Sequence, residues 1–135
     1  MITAIVVTHH TLAESLIATA EFIVGPNEHL VGVGILQNDD IEAVRRRLVE
    51  MIRKYRKEGR RVLILTDMFG GTPTNICLAL YEAGAVEIVS GVNLPILLKL
   101  HAGLDDSSRS IKEIAAEITE YGRKNIFTAA EFLDL

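Results

Sequence analysis

The sequence predicts an α/β domain: a doubly wound, mostly parallel four-stranded sheet with helices on both faces. Two observations carry this expectation. Short apolar runs rich in β-branched residues alternate with segments whose apolar residues recur at helical spacing. The runs are apolar at successive positions, as strands buried on both faces must be. A length of 135 residues, 49% of them hydrophobic, suits one compact domain over residues 1–135. Right-handed crossovers then make 2-1-3-4 the simplest strand order, with the carboxyl ends of the first and third strands side by side at the switch point where ligands bind.

Each element has its own signal. Ile2 to Val7 reads as the first strand. Leu12, Leu16, Ile17, Ala20, Ile23 and Val24 then fall at helical spacing, with Thr11 and Glu14 as a capping box and Gly25-Pro26 as the stop. Leu30 to Leu36 is the second strand, and Ile41, Val44, Leu48, Ile52 and Tyr55 mark a helix capped by Asp39 and Asp40 and closed near Gly59. Arg61 to Thr66 is the third strand, followed by the turn DMFGGTP and a helix from about Pro73 to Ala83 with Thr72 as N-cap. Ala85 to Ser90 is the fourth strand, and GVNLP opens a helix from Leu94 to about His101. A second capping box, Ser110 and Glu113, starts a helix to about Tyr121, and Asn125 to Thr128 is a short candidate strand.

Charge and composition narrow the function. A net charge of -4 gives no general attraction to nucleic acid or membrane. Most of the 14 basic residues lie between Arg45 and Arg61, but Arg45, Arg46 and Arg47 cannot share one side of a helix, which weakens a nucleic-acid reading and leaves a solvated face or a dock for an acidic protein. Cys77 is the only cysteine, so no internal disulfide forms. The start MITAIVV lacks signal-peptide features, and no apolar run reaches the length of a membrane span. A reducing, cytoplasmic location without membrane insertion is expected.

Three segments end buried strands with polar residues: THHT, DMFGGTPTN and GVNLP. All three should open on one crevice. Gly70 and Gly71 let the backbone approach a ligand closely, and free N–H groups at the following helix start, with the Thr72 hydroxyl, suit a phosphate. A histidine beside Asp67 has a specific use there. The carboxylate can hold one ring N–H and leave the other nitrogen nucleophilic. Phosphoryl transfer onto histidine fits, and that scheme requires no metal, nucleotide or other cofactor. Thr8, His10, Phe69 and Asn93 are candidates to line the site, although Asn93 serves equally as a plain helix cap, and His29 and His101 read as surface or rim residues. Spacing alone leaves open whether His9 or His10 is the acceptor.

The segments VTHHTLAESL, LTDMFGGTPTN and SGVNLPILL, with their order and spacing, resemble the enzyme IIA domain of the mannose-type bacterial phosphoenolpyruvate-dependent sugar phosphotransferase system. The resemblance covers nearly the whole chain. It implies that a histidine accepts a phosphoryl group from the phosphocarrier protein HPr and passes it to an enzyme IIB component. Thr8 and His9 match the family's threonine-histidine pair, with Ala13-Glu14 fixing the register, so His9 is the implied phosphoacceptor. His10 then stands where relatives usually have glycine. Asp67 matches the orienting aspartate, Thr72 the small hydroxyl residue near the phosphoryl group, and Asn93 falls in the third signature. The family also implies a homodimer joined through an exchanged carboxy-terminal strand, with Asn125 to Thr128 as its candidate.

Other classes fit less well. A response-regulator receiver needs acidic residues after its first strand, where this chain has histidines. A metal-dependent hydrolase built on His9, His10 and Asp67 would require adjacent histidines to share one metal, with no further ligand set in sight. No G-x-x-x-x-G-K-[ST] or G-x-S-x-G motif occurs, and Gly32 to Gly34 lies inside a strand, without the turn and helix that dinucleotide binding requires. A stand-alone regulatory module, read by a partner with no sugar moved, is the alternative to transport.

Overall fold

A computed structural model describes residues 1–135. The elements run β1 (Ile2–His9), α1 (Leu12–Val24), β2 (Leu30–Ile35), α2 (Ile41–Lys57), β3 (Arg61–Thr66), α3 (Thr72–Leu78), β4 (Val86–Ser90), α4 (Leu94–His101), α5 (Ile111–Lys124) and α6 (Ala129–Leu133). The four strands form one sheet in the order β2-β1-β3-β4, and every pairing is parallel. The expected architecture is therefore observed.

Strand alternation divides the core in two. Ile2, Ala4 and Val6 of β1, with Leu63 and Leu65 of β3, point to α1, α4 and α5, where Ile17, Leu97, Leu100 and Ile114 meet them. Ile5 and Val7, with Val62 and Ile64, point to the opposite face and pack on Leu48 of α2 and Ile76 and Cys77 of α3. Both faces of the central strands are thereby sealed, which explains their unbroken apolar sequence.

Several element ends differ from the sequence reading. β1 runs two residues further, to His9, because Thr8 and His9 pair with Gly34 and Ile35 of β2. Thr11 makes no side-chain cap of α1; the Thr8 hydroxyl instead accepts the Ala13 N–H at 2.8 Å. Asp40 caps α2 through the Glu42 N–H, whereas Asp39 accepts the Leu36 N–H in the turn before it. Gly71, not Thr72, is the N-cap of α3. That helix ends at Leu78, because Glu82 pairs its backbone with Val86 instead of continuing the helical ladder. Ser110 caps α5 through the Glu113 N–H, and α5 extends to Lys124.

The basic stripe is also divided. Arg60 is buried, and donates to the Thr3 hydroxyl and the Ile2 carbonyl, bracing the amino-terminal end of the sheet. Arg61 donates to the carbonyls of Asp106 and Arg109. Only the α2 arginines and lysines remain on an exposed helix face. Asn125 to Thr128 forms no strand within the single chain: Asn125 closes α5, and Thr128 makes a capping box with Glu131 for α6. Residues 123–135 are all exposed, so no part of the sheet is built from this end of the chain.

Cys77 is fully buried against the second core face, and burial pushes its thiol up to about 12. Since the thiolate is the reactive form, Cys77 should resist a disulfide reagent at pH 8 in the native protein and react at once in denaturant. Free-thiol titration with and without urea checks this.

Candidate phosphoryl-transfer site

β1 and β3 are neighbours in register, with Val7 opposite Thr66. The next residues of the two strands, Thr8-His9 and Asp67, therefore emerge together at the carboxyl edge of the sheet. Alternation then separates the two histidines. His9 is the last residue of β1 and shares the face of Ile5 and Val7, the face covered by α3 and the loop before it. His10 lies beyond the strand, with its N–H on the Ile35 carbonyl and φ at 52°, in the left-handed region where glycine is at ease.

Thr8 positions this corner. Its buried hydroxyl donates to the His9 carbonyl and accepts the Ala13 N–H, so one side chain joins the end of β1 to the start of α1. Gly34 makes room beside it: a Cβ there would meet the His10 carbonyl oxygen at 2.1 Å. Gly34 of the GVG stretch is thus a clearance for the histidine turn, while Gly32 faces Ile17 and Ala13 of α1.

Asp67 is joined to His9 twice through one oxygen. Oδ2 accepts the His9 N–H at 2.9 Å and lies 2.8 Å from His9 Nδ1, while Oδ1 accepts the Met68 N–H at 3.0 Å. The carboxylate is only 11% exposed and the imidazole 48%. Burial pushes the Asp67 carboxyl up, but the hydrogen bonds from the His9 N–H and ring, with the His9 charge, outweigh it and hold the carboxyl below its ordinary value. With the carboxylate ionised, Nδ1 carries the hydrogen and donates it, leaving the Nε2 lone pair free.

The other ring nitrogen faces Gly71. A Cβ on Gly71 would lie 2.7 Å from His9 Cε1 and 3.3 Å from Nε2, so only glycine allows the loop backbone so near the ring. Phe69, Gly70, Gly71 and Thr72 donate their backbone N–H groups to no partner within the chain. Met68 and Phe69 are 55% and 77% exposed, and Leu12 beside the histidine turn is exposed as well. The arrangement is an open shelf, with a nucleophilic nitrogen above free amide donors and a rim of apolar side chains.

The remaining candidates have other partners. Asn93 caps α4 through the Ile96 N–H and donates to the Gly122 carbonyl at 3.1 Å, so its amide joins α4 to α5. His101 Nε2 meets the Gly25 carbonyl, and His29 pairs with exposed Glu28 at the opposite end of the sheet. The sequence reading missed Thr74, a buried hydroxyl directly behind the loop. Its only signal was a polar residue on the apolar face of a helix.

Two outcomes follow from this geometry. Relieving the left-handed strain by His10→Gly should leave urea stability unchanged or raise it by up to about 1 kcal/mol, where a loss above that size would contradict the strain. The lowered Asp67 value stabilises the fold above the unfolded carboxyl's pKa of about 3.9, and that stabilisation is lost as pH falls through the folded value. The stability gap between wild type and Asp67→Asn should therefore be present at pH 5 and shrink as pH falls below about 4; paired urea titrations read it.

The family model described as PTS system fructose IIA component matches residues 3–119. The mannose-specific EIIAB component of Escherichia coli K12 is 30% identical over 93% of this chain, which spans only 39% of that protein's length. The fructose-specific EIIA component of Bacillus subtilis is 28% identical, over 87% of this chain and 84% of its own. Among solved structures, the EIIA component from Streptococcus agalactiae has a TM-score of 0.82 at 24% identity, covering 97% of this chain and 99% of that one. The IIA protein associated with the fucose utilization operon of Streptococcus pneumoniae has a TM-score of 0.85 at 24% identity, covering 98% and 96%. The chain belongs to the mannose/fructose-type IIA family of the sugar phosphotransferase system.

Proposed function

We propose that residues 1–135 form one IIA domain that carries a phosphoryl group on His9 Nε2, taking it from phospho-HPr and giving it to a IIB component. The observation that carries this reading is the His9–Asp67 pair, with Nδ1 held by the carboxylate and Nε2 facing Gly71 and the unpaired loop amides. In the forward step the Nε2 lone pair forms the N–P bond. The donor's bond to phosphorus breaks, and its electron pair leaves with the donor. Nδ1 keeps its hydrogen, and Asp67 balances the positive charge that develops on the ring. The N–H groups of Phe69, Gly70, Gly71 and Thr72, with the Thr72 hydroxyl, receive the phosphoryl oxygens. At seven residues α3 is short, so these local donors, rather than the helix dipole, supply the anion's stabilisation.

The half-exposed imidazole and its rim of Leu12, Met68 and Phe69 fit a donor and an acceptor that are proteins, each bringing its own phosphorylated group to the shelf. His10 stands at the edge of the shelf, and its exposed ring is accessible to either partner. The chain acts in the cytoplasm, and no helix is long and apolar enough to cross a membrane. It pairs as a homodimer through the carboxy-terminal segment, whose Ile126, Phe127, Phe132 and Leu133 are exposed in a single chain.

Labelling with phosphoenolpyruvate, enzyme I and HPr tests this. His9→Ala abolishes acid-labile label and His10→Ala retains it; the reverse would overturn the assignment. Asp67→Ala slows labelling by ~10–100-fold, the size expected for losing the charge-assisted hydrogen bond to His9 Nδ1, with the fold retained by circular dichroism. Onward transfer from labelled protein to IIB separates transport from a purely regulatory module.

A further inference from the structure

We propose that Thr74, with buried Thr66 and half-buried Ser90, forms a hydroxyl cluster that sets the direction of the loop amides, and that Thr74 is a positioning residue for phosphoryl transfer. This rests on the phosphocarrier reading above. Thr66 and Thr74 are fully buried between the sheet and α3, a place where valine would fill the same volume without a polar group to satisfy. Each hydroxyl finds a partner. Thr74 Oγ1 donates to the Met68 carbonyl at 2.5 Å and lies 2.7 Å from Thr66 Oγ1 and 3.4 Å from Ser90 Oγ. Because Thr74's single hydrogen is given to Met68, Thr66 is the donor in the bond between the two threonines.

The position of that carbonyl gives the cluster its effect. Met68, Phe69 and Gly70 take part in no backbone–backbone hydrogen bond. The loop is fastened at Asp67, through His9 and the Met68 N–H, and at the Met68 carbonyl, through Thr74. The Met68 carbonyl and the Phe69 N–H belong to one planar trans peptide, so they point in opposite directions. Holding the carbonyl inward on Thr74 directs the Phe69 N–H out of the core. The same cluster reaches the third signature: the Thr66 carbonyl accepts the N–H groups of Gly91 and Val92, each at 2.9 Å, and Ser90 closes the far side. Ends of β3, β4 and α3 are thereby locked to one loop orientation, which Asp67 alone does not fix.

The test compares wild type with Thr74→Val, which keeps the shape, and Thr74→Ser, which keeps the hydroxyl. Phosphoryl uptake is measured against HPr concentration, with His9→Ala as the control. Thr74→Val should lower the maximal rate about tenfold, one hydrogen bond's worth, at an unchanged half-saturating HPr concentration. Thr74→Ser should stay within about twofold of wild type. A Thr74→Val protein that transfers at the wild-type rate overturns the proposal even if it melts earlier, and so does a Thr74→Ser protein as slow as Thr74→Val. If wild type takes no label, or His9→Ala still does, the phosphocarrier reading fails. Amide order parameters of Phe69 and Gly70 in the unphosphorylated proteins then decide: lower in Thr74→Val and restored in Thr74→Ser supports the positioning role, and equal values in all three overturn it.

Discussion

The hydrogen bond between His9 Nδ1 and Asp67 Oδ2 is the interaction on which the rest of the site depends. It joins the ends of two strands that lie 58 residues apart in the chain and are neighbours only because the crossovers make them so. The pairing of β1 with β3 fixes the two residues side by side. The shared oxygen, which also accepts the His9 N–H, fixes the ring's tautomer and direction. Remove the carboxylate, and either ring nitrogen can carry the hydrogen.

The surroundings of that bond serve it by clearance and by tethering. Gly34 and Gly71 leave room for the His10 carbonyl and the His9 ring respectively. Thr8 ties the start of α1 to the strand end, and Thr74 ties the loop to the core. Small residues and buried hydroxyls therefore leave the His9 ring open to solvent while holding the loop beside it. Its rigidity comes from behind, through hydroxyls in the layer between sheet and helix. A buried hydroxyl is costly unless it is paired, and those of Thr8, Thr66 and Thr74 each are.

Much of this was legible in the sequence. The apolar runs gave the strands and their burial, and the crossover rule gave the order β2-β1-β3-β4, because both depend on patterns a few residues long and on handedness. His9, His10, Asp67 and Gly71 were site candidates from strand ends and a glycine turn, and the family resemblance singled out His9 from its neighbour. What was not legible depended on tertiary partners. β1 extends through His9 because β2 continues beside it, and Thr11 yields the helix cap to Thr8, whose buried hydroxyl accepts the Ala13 N–H. α3 stops at Leu78 through a backbone pairing with Val86 that no local pattern announces. Thr74 reads as an ordinary polar interruption until the loop is folded over it. Asn93 shows the reverse: its place in a signature segment suggests chemistry, and its amide is bonded to Ile96 and Gly122.

In the proposed transfer, Asp67 reserves Nδ1 and leaves Nε2 to take the phosphoryl group. Nitrogen-15 and phosphorus-31 NMR of the phosphorylated protein, with labelled histidine, reads the attachment atom directly. The expected result of that transfer is a phosphorus bonded to His9 Nε2 and a hydrogen retained on Nδ1. A phosphorus on Nδ1, or on His10, would contradict it.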